Sequence, residues 1–386
     1  METHLMNASP EAFDAIRPYR DEEVREVLDR LSGDTELLNT LLRFKFPTLT
    51  DSFLAPLLRW IISRAVAKRV ARIYSIRDLQ LYVEAYMARM IATTTKGLTV
   101  DGLEHLERDK NYLFISNHRD IAMDPAFVNY ALHVNGMDTV RIAIGDNLLK
   151  KGYVNDLMRL NKSFIVQRSV KGVRQMMAAF NLLSQYIHHS LKEEHQSIWI
   201  AQKEGRAKDG IDRTDPAIIK MFYMAEKKTG KSFADSIRDL NIVPVALSYE
   251  YDPLDVQKSH EIVQKQQEGH YAKGEFEDIS SIAQGIAGFK GRVHVAFGQP
   301  LTGDFADAAA VAGAVDEQIR RLYRLFPSNY LALDALNETG DFAIPSFDTN
   351  VRAAFNERLA ACPEEYQAQW LVMYANPVKN YLGRIK

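Results

Sequence analysis

Apolar residues in the first hundred positions recur at the three-to-four spacing of helices. Leu28 and Leu31 follow that period, as do Leu37, Leu38, Leu41 and Leu42, with interruptions at Gly33 and Pro47. Ser9-Pro10-Glu11-Ala12 reads as a helix cap with a proline and an acidic first turn. From Leu98 the period changes. Short apolar runs at 98–103, 112–116, 139–144, 163–166, 196–201, 241–249 and 291–298 read as strands. Helical stretches fall between them, from Asp124 onward and at 172–188, 216–228 and 306–325. Strands alternating with helices predict an α/β fold with a mostly parallel sheet flanked by helices. The expected organisation is a helical N-terminal module at 1–97, the α/β domain at 98–330 and a helical C-terminal extension at 331–386, anchored by Trp370, Tyr374 and Tyr381. Pro244 inside a strand run predicts a sheet edge or a bulge. Residues 252–278 hold few apolar side chains and are expected to form a surface excursion.

Composition narrows the classes. Of 386 residues, 46% are hydrophobic and 25% charged, which is ordinary for a globular chain with a sizeable core. A net charge of -2, with no aromatic residues interleaved among the basic clusters, gives no reason to expect a nucleic-acid partner. The single cysteine, Cys362, excludes a disulfide framework within the chain and fits a reducing compartment. The first 26 residues lack the basic leader and apolar core of a signal peptide, and no run reaches the roughly 18 apolar residues of a membrane span. A cytoplasmic protein is expected. Residues 52–77 carry six basic side chains (Arg59, Arg64, Lys68, Arg69, Arg72, Arg77) and no acid, behind Phe53, Leu57, Trp60 and Ile61. That is the pattern of a helix lying on a membrane surface, or of a bundle helix with its charged edge in water.

Four segments hold side chains suited to chemistry. In 111–132 a strand ends at Ser116, His118 follows in a polar turn, and Asp124-Pro125 starts a helix. A histidine and a carboxylate at the carboxyl edge of a sheet stand where open α/β sheets bind ligands. Such a histidine can take the proton of an attacking hydroxyl while the carboxylate fixes its tautomer. A capped helix behind a solvated turn accounts equally for the segment alone. In 164–171, FIVQRSVK, Arg168 closes a strand, and Ser169 and Lys171 precede a helix, an arrangement suited to anions. In 198–210, IWIAQKEGRAKDG, a strand delivers Lys203, Glu204, Gly205, Arg206 and Lys208 into one loop, where glycine allows close backbone approach and the cations can grip phosphate. In 241–251, NIVPVALSYEY, apolar residues flank Pro244. No G-x-S-x-G elbow occurs, and His188, His189 and His195 lack partners at metal-ligand spacing, so neither a metal nor a bound cofactor is expected.

In this order, N-H-R-D-I-A-M-D-P at 117–125, F-I-V-Q-R at 164–168, E-G-R at 204–206 and I-V-P-V at 242–245 resemble the glycerophospholipid acyltransferase family. That family includes glycerol-3-phosphate and lysophosphatidic acid acyltransferases. The resemblance implies that His118 is the general base and Asp124 its charge partner. It also implies that Arg168, Glu204, Gly205 and Arg206 bind the phosphate and glycerol part of the acceptor. The donor would be a thioester of coenzyme A or acyl carrier protein, and the membrane surface a partner, with the protein peripheral on its inner face. Three features depart from the family pattern. Five residues, rather than four, separate His118 from Asp124, which leaves Asp120 as a rival partner. A-Q-K precedes E-G-R where many members have an aromatic residue and proline, and membrane-spanning helices are missing. The expected reaction is acyl transfer to a hydroxyl of glycerol 3-phosphate, lysophosphatidic acid or a similar lyso-lipid. A non-catalytic lipid-binding protein and an acyl ester hydrolase are the alternatives.

Overall fold

The structure, a computed structural model, describes residues 10–50, 52–274 and 277–385. Helices α1 (Asp21–Gly33), α2 (Thr35–Lys45), α3 (Ala55–Val70) and α4 (Ile76–Thr94) come first, then β1 (Leu98–Asp101), β2 (Leu113–Ser116) and α5 (Met123–Val134). Next are β3 (Arg141–Gly145), α6 (Gly152–Leu160), β4 (Ser163–Val166), α7 (Val173–Lys192) and β5 (Ile198–Ala201). Helices α8 (Pro216–Tyr223) and α9 (Phe233–Arg238) lead to β6 (Ile242–Tyr249), and α10 (Asp255–Glu268) and α11 (Glu277–Ala287) to β7 (Val293–Phe297). The chain closes with α12 (Ala308–Leu322), α13 (Pro327–Ala335), α14 (Thr349–Ala360) and α15 (Glu364–Tyr381). The α/β class and largely parallel sheet expected from the sequence are present. The cap expected at Ser9 lies outside the described residues. Two compact units result, Met1–Tyr86 with Arg141–Tyr186 and Met87–Val140 with Ile187–Lys386, a division that does not follow the sequence boundaries at 97 and 330.

In the first unit, β3 and β4 pair in parallel, Ile142 opposite Ser163. Val24, Val27, Leu28 and Leu31 of α1 bury one helical stripe against Leu37, Ile73, Tyr153 and Leu160. Asp156 ties this unit together, accepting from the Tyr19 hydroxyl at 2.7 Å and Arg30 Nε at 2.9 Å. The single helix expected over 52–77 is two helices. Ser75 and Asp78 form a reciprocal cap that starts α4: Ser75 Oγ accepts from the Asp78 amide at 3.1 Å, and the Asp78 carboxylate accepts from the Tyr74 and Ser75 amides at 3.0 Å. Arg25 Nη1 donates to the carbonyls of Val70 and Ile73 at 2.7 and 3.0 Å, where α3 ends. Within α3 only Ala55 is buried, while Leu57, Trp60 and Ile61 stand exposed and Phe53 before it is 91% exposed. The helix packs along one side against α1 and α2 and leaves this apolar group in the open. Among the described residues, no helix is long and apolar enough to cross a membrane.

The second unit is built on the strand order β1-β7-β6-β2-β5. Leu113 of β2 lies opposite Ile198 of β5 and Ile242 of β6, both in parallel. β1 is parallel to β7, and the β6–β7 pair alone is antiparallel. Every residue of β2, β6 and β7 is buried, as apolar runs covered on both faces require. Pro244 is thus in a central strand, not at an edge. Its carbonyl accepts from the Gly298 amide at 2.8 Å, so its ring nitrogen points the same way, just beyond Val245–Phe297, where the β6–β7 ladder ends. The reciprocal bond of that pair, from an amide at 244 to the Gly298 carbonyl, is the one proline cannot make, and the ladder stops there.

The surface excursion expected over 252–278 is also corrected. Most of it is α10, whose Asp255, Lys258, Ser259 and Glu261 are buried. Lys258 Nζ donates to the Arg119 carbonyl at 2.6 Å and pairs with Asp252. Asp255 accepts from Arg358 Nε at 2.8 Å and the Tyr374 hydroxyl at 2.9 Å, and Glu261 from Lys265 at 2.7 Å. Charges neutralised in pairs can be buried, and these attach α10 to α14 and α15. Trp370 and Tyr374 of α15 meet at a 50° tilt, ring centroids 4.4 Å apart, within the apolar cluster of Leu331, Phe355 and Val378.

Candidate active site

β2 delivers the site. Its last residue, Ser116, leads into Asn117, which binds the Leu247 carbonyl at 2.9 Å and the Leu247 amide at 2.8 Å. That side chain stitches the end of β2 to β6 and fixes where His118 leaves the sheet. Trp199 of β5 donates Nε1 to Ser116 Oγ at 3.0 Å and sets its ring at 69° to the imidazole, centroids 5.6 Å apart.

His118 Nδ1 lies 2.8 Å from Asp124 Oδ2. The fifth intervening residue is absorbed before the helix begins. Asp124 is the second residue of α5, not its cap. Its Oδ2 also accepts from the Arg119 amide at 2.5 Å and the Asp120 amide at 3.0 Å, and its Oδ1 from the Tyr249 hydroxyl at 2.6 Å. Asp120 does the capping, through Oδ1 to the amides of Ala122 and Met123 at 3.0 and 2.9 Å. Sequence reasoning gave Asp124 both the cap and the partnership with His118 and held Asp120 as rival partner. The geometry leaves Asp124 against His118 and gives the cap to Asp120.

Asp124 is fully buried, and burial opposes its ionisation, but the His118 bond, the Tyr249 hydroxyl and the backbone amides outweigh this and hold it below the usual carboxylate range. Burial and the neighbouring Asp124 charge push Asp120 the other way. Burial beside Asp124 raises the Tyr249 phenol well above 10, so it is a donor at any working pH. With Asp124 ionised at Nδ1, the imidazole carries its proton on Nδ1 and presents the Nε2 lone pair. The His118 side chain is 14% exposed, enough for one face to meet a substrate.

The loop after β5 is fastened to this turn by backbone and side chain. The Ala207 amide donates to the His118 carbonyl at 2.8 Å. Arg119 Nη2 reaches the Gly210 carbonyl at 3.2 Å and Asp212 Oδ2 at 2.6 Å, and Asn117 Nδ2 reaches the same Asp212 oxygen at 3.2 Å. Asn376 of α15 donates to the Asp209 carbonyl at 2.7 Å. Glu204 and Gly205 are exposed at the loop tip, with Gly205 at φ 76°, and Arg206 is half-buried behind them. Lys208 is half-buried in an ion pair with Glu261. His118, Asp124, Glu204, Gly205, Arg206 and Lys208 all belong to the second unit.

Arg168 and Lys171 belong to the first unit. They lie in the segment between β4 and α7, and both are exposed. The anion expected at this helix start is supplied by the chain itself: Asp146 accepts from the amides of Arg168 and Ser169 at 3.1 Å and from the Ser169 hydroxyl. Sequence reasoning missed Asn117, Trp199, Asp212 and Tyr249. Only Asn117 carried a signal, as neighbour of the histidine. Among the described residues, no group of three or more His, Cys, Asp or Glu side chains is placed to hold a metal ion.

A family model described as Acyltransferase matches residues 97–248, from β1 to the penultimate residue of β6. A search of curated proteins finds no match. Among solved structures, the chain is similar to the 1-acyl-sn-glycerophosphate (LPA) acyltransferase PlsC from Thermotoga maritima, at 14% identity over 74% of this chain and 95% of that one. The TM-score of that pair is 0.36, which carries no argument about the site.

Proposed function

We propose that the protein, whose residues 97–248 match the Acyltransferase family model, moves a fatty acyl group from a thioester to a hydroxyl of glycerol 3-phosphate, lysophosphatidic acid or a similar lyso-lipid. The donor is acyl-CoA or acyl carrier protein. The observation that carries the reading is the 2.8 Å contact between His118 Nδ1 and a buried, four-times hydrogen-bonded Asp124.

His118 Nε2 takes the hydroxyl proton as the acceptor oxygen attacks the thioester carbonyl, and the imidazolium is stabilised by Asp124. When the tetrahedral adduct collapses, the C–S bond breaks and the proton passes from Nε2 to the departing thiolate. The products are an ester and a free thiol. Glu204, Gly205 and Arg206 reach the acceptor, because the Ala207–His118 backbone bond keeps their loop beside the base. Lys208 steadies the loop through Glu261. The exposed Phe53, Leu57, Trp60 and Ile61, with the basic residues of α3, favour attachment to the cytoplasmic face of a membrane.

The test is thiol release from palmitoyl-CoA or palmitoyl carrier protein, with and without glycerol 3-phosphate, lysophosphatidic acid or a lyso-aminolipid, for wild type and His118→Ala. Acceptor-dependent release that falls by about 10²–10⁴ in the variant is expected. Release without an acceptor makes the protein a hydrolase. No release with any pair leaves the lipid-binding reading.

A further inference from the structure

Asp124 has two oxygens in different company. Three donors converge on Oδ2, namely His118 Nδ1 and the amides of Arg119 and Asp120, whereas Oδ1 is met by the Tyr249 hydroxyl at 2.6 Å. Tyr249 is the last residue of β6 and lies one position beyond the matched segment. Its ring is held by Phe127 of α5, edge to face with centroids 5.8 Å apart, and both side chains are buried. The phenol therefore has one orientation and one job.

We infer that Tyr249 is a positioning residue for the transfer reaction, whose hydroxyl draws charge toward Oδ1 and so weakens the pull of Oδ2 on the His118 proton. This rests on the reading of His118 as the base. An ionised carboxylate shares its charge between its oxygens, and a short bond from a neutral donor to one of them lowers the basicity of the other. A base must lose its own proton before it can accept another. A carboxylate left without this donor would hold the imidazolium more firmly, so the enzyme would need a higher pH to become active. The other charged or titratable groups around the site are Asp120 and Arg119 on the same turn, Asp252 near Tyr249, Lys258 of α10 and Lys290 ahead of β7 near Asp120, and Glu204 and Arg206 on the loop fastened to His118. None of them bonds Oδ1.

The experiment is the pH dependence of kcat/KM by thiol release, for wild type, Tyr249→Phe and Phe127→Leu. Tyr249→Phe is expected to move the acid limb upward by about half to one pH unit, the size of one hydrogen bond to a charged group. Both substrate KM values should stay near wild type. Phe127→Leu loosens the ring without removing the donor, and its acid limb should move by clearly less than that of Tyr249→Phe. If Tyr249→Phe does not fold, 3-fluorotyrosine at this position alone reads the same effect with opposite sign, because a more acidic phenol donates more strongly and lowers the limb. An unmoved limb in a folded Tyr249→Phe protein overturns the inference, as does an equal shift in Phe127→Leu, or a limb that fluorination leaves in place. If His118→Ala keeps its turnover, the assignment of the base has failed instead.

Discussion

Replacing Asp124 by Asn isolates what the carboxylate charge contributes, because the site can hold an amide almost without rearrangement. An Asn carbonyl placed at Oδ2 would still accept from His118 Nδ1 and from the amides of Arg119 and Asp120. Its NH2 would then face the Tyr249 oxygen, which can turn to accept. The imidazole therefore keeps its proton on Nδ1 and its lone pair on Nε2. What disappears is the attraction between carboxylate and imidazolium. With charge centres about 4 Å apart and an effective dielectric constant of about 20, that attraction is about 4 kcal/mol. Part of it is already spent on orienting the neutral ring, so kcat should fall by about 10²–10³, with KM for donor and acceptor near wild type. Thiol release at saturating substrate measures the loss, and thermal unfolding shows whether the fold is intact. A folded Asp124→Asn protein that retains more than a tenth of wild-type kcat would refute the assignment of Asp124 as the charge partner.

Gly210→Ala should destabilise by about 3 kcal/mol or more in urea unfolding, because φ is 79° and the added carbon would stand 2.1 Å from the Met373 carbonyl oxygen of α15. Gly205→Ala, at φ 76° with nothing within 4 Å, should cost only about 1 kcal/mol. Glu250 receives Arg292 at 3.0 and 2.9 Å and its amide at 2.9 Å; burial opposes its ionisation, but these bonds hold its carboxyl below 4.5. Its contribution to stability is complete above that pH and is lost as the pH falls through the folded-state value, so Glu250→Gln should flatten the acid side of the unfolding profile. Trp60→Glu with Ile61→Glu should reduce co-sedimentation with anionic vesicles at least tenfold while leaving Tm unchanged, since both side chains are already exposed.

The strands were legible because β2, β5, β6 and β7 are short apolar runs, and burial on both faces leaves few polar positions to blur them. The histidine turn was legible from local chemistry: a strand, a base and a carboxylate within a dozen residues. The pairing of Asp124 with His118 was expected from the family resemblance, but the cap was not legible, since either carboxylate can accept backbone amides and the sequence does not say which one does. The 252–278 segment misled because polarity was taken for exposure. Lys258, Asp255 and Glu261 are buried only because Asp252, Arg358 and Lys208 meet them. Partners such as Arg358 stand about a hundred positions away, beyond the reach of any local pattern. Tyr249 and Asp212 escaped for the same reason, their partners being 125 and 93 positions distant.

The bond from the Ala207 amide to the His118 carbonyl uses no side chain at all. Exchanges at 203–206 therefore redraw the tip of that loop without disturbing its anchorage to the proton acceptor. Under the proposed function, preference for one acceptor over another would then be mutable separately from the ability to react. A library randomised at Lys203, Glu204 and Arg206 should yield variants with new acceptor preferences and undiminished thioester chemistry, whereas one randomised at Asn117 or Asp212 should yield mainly dead protein.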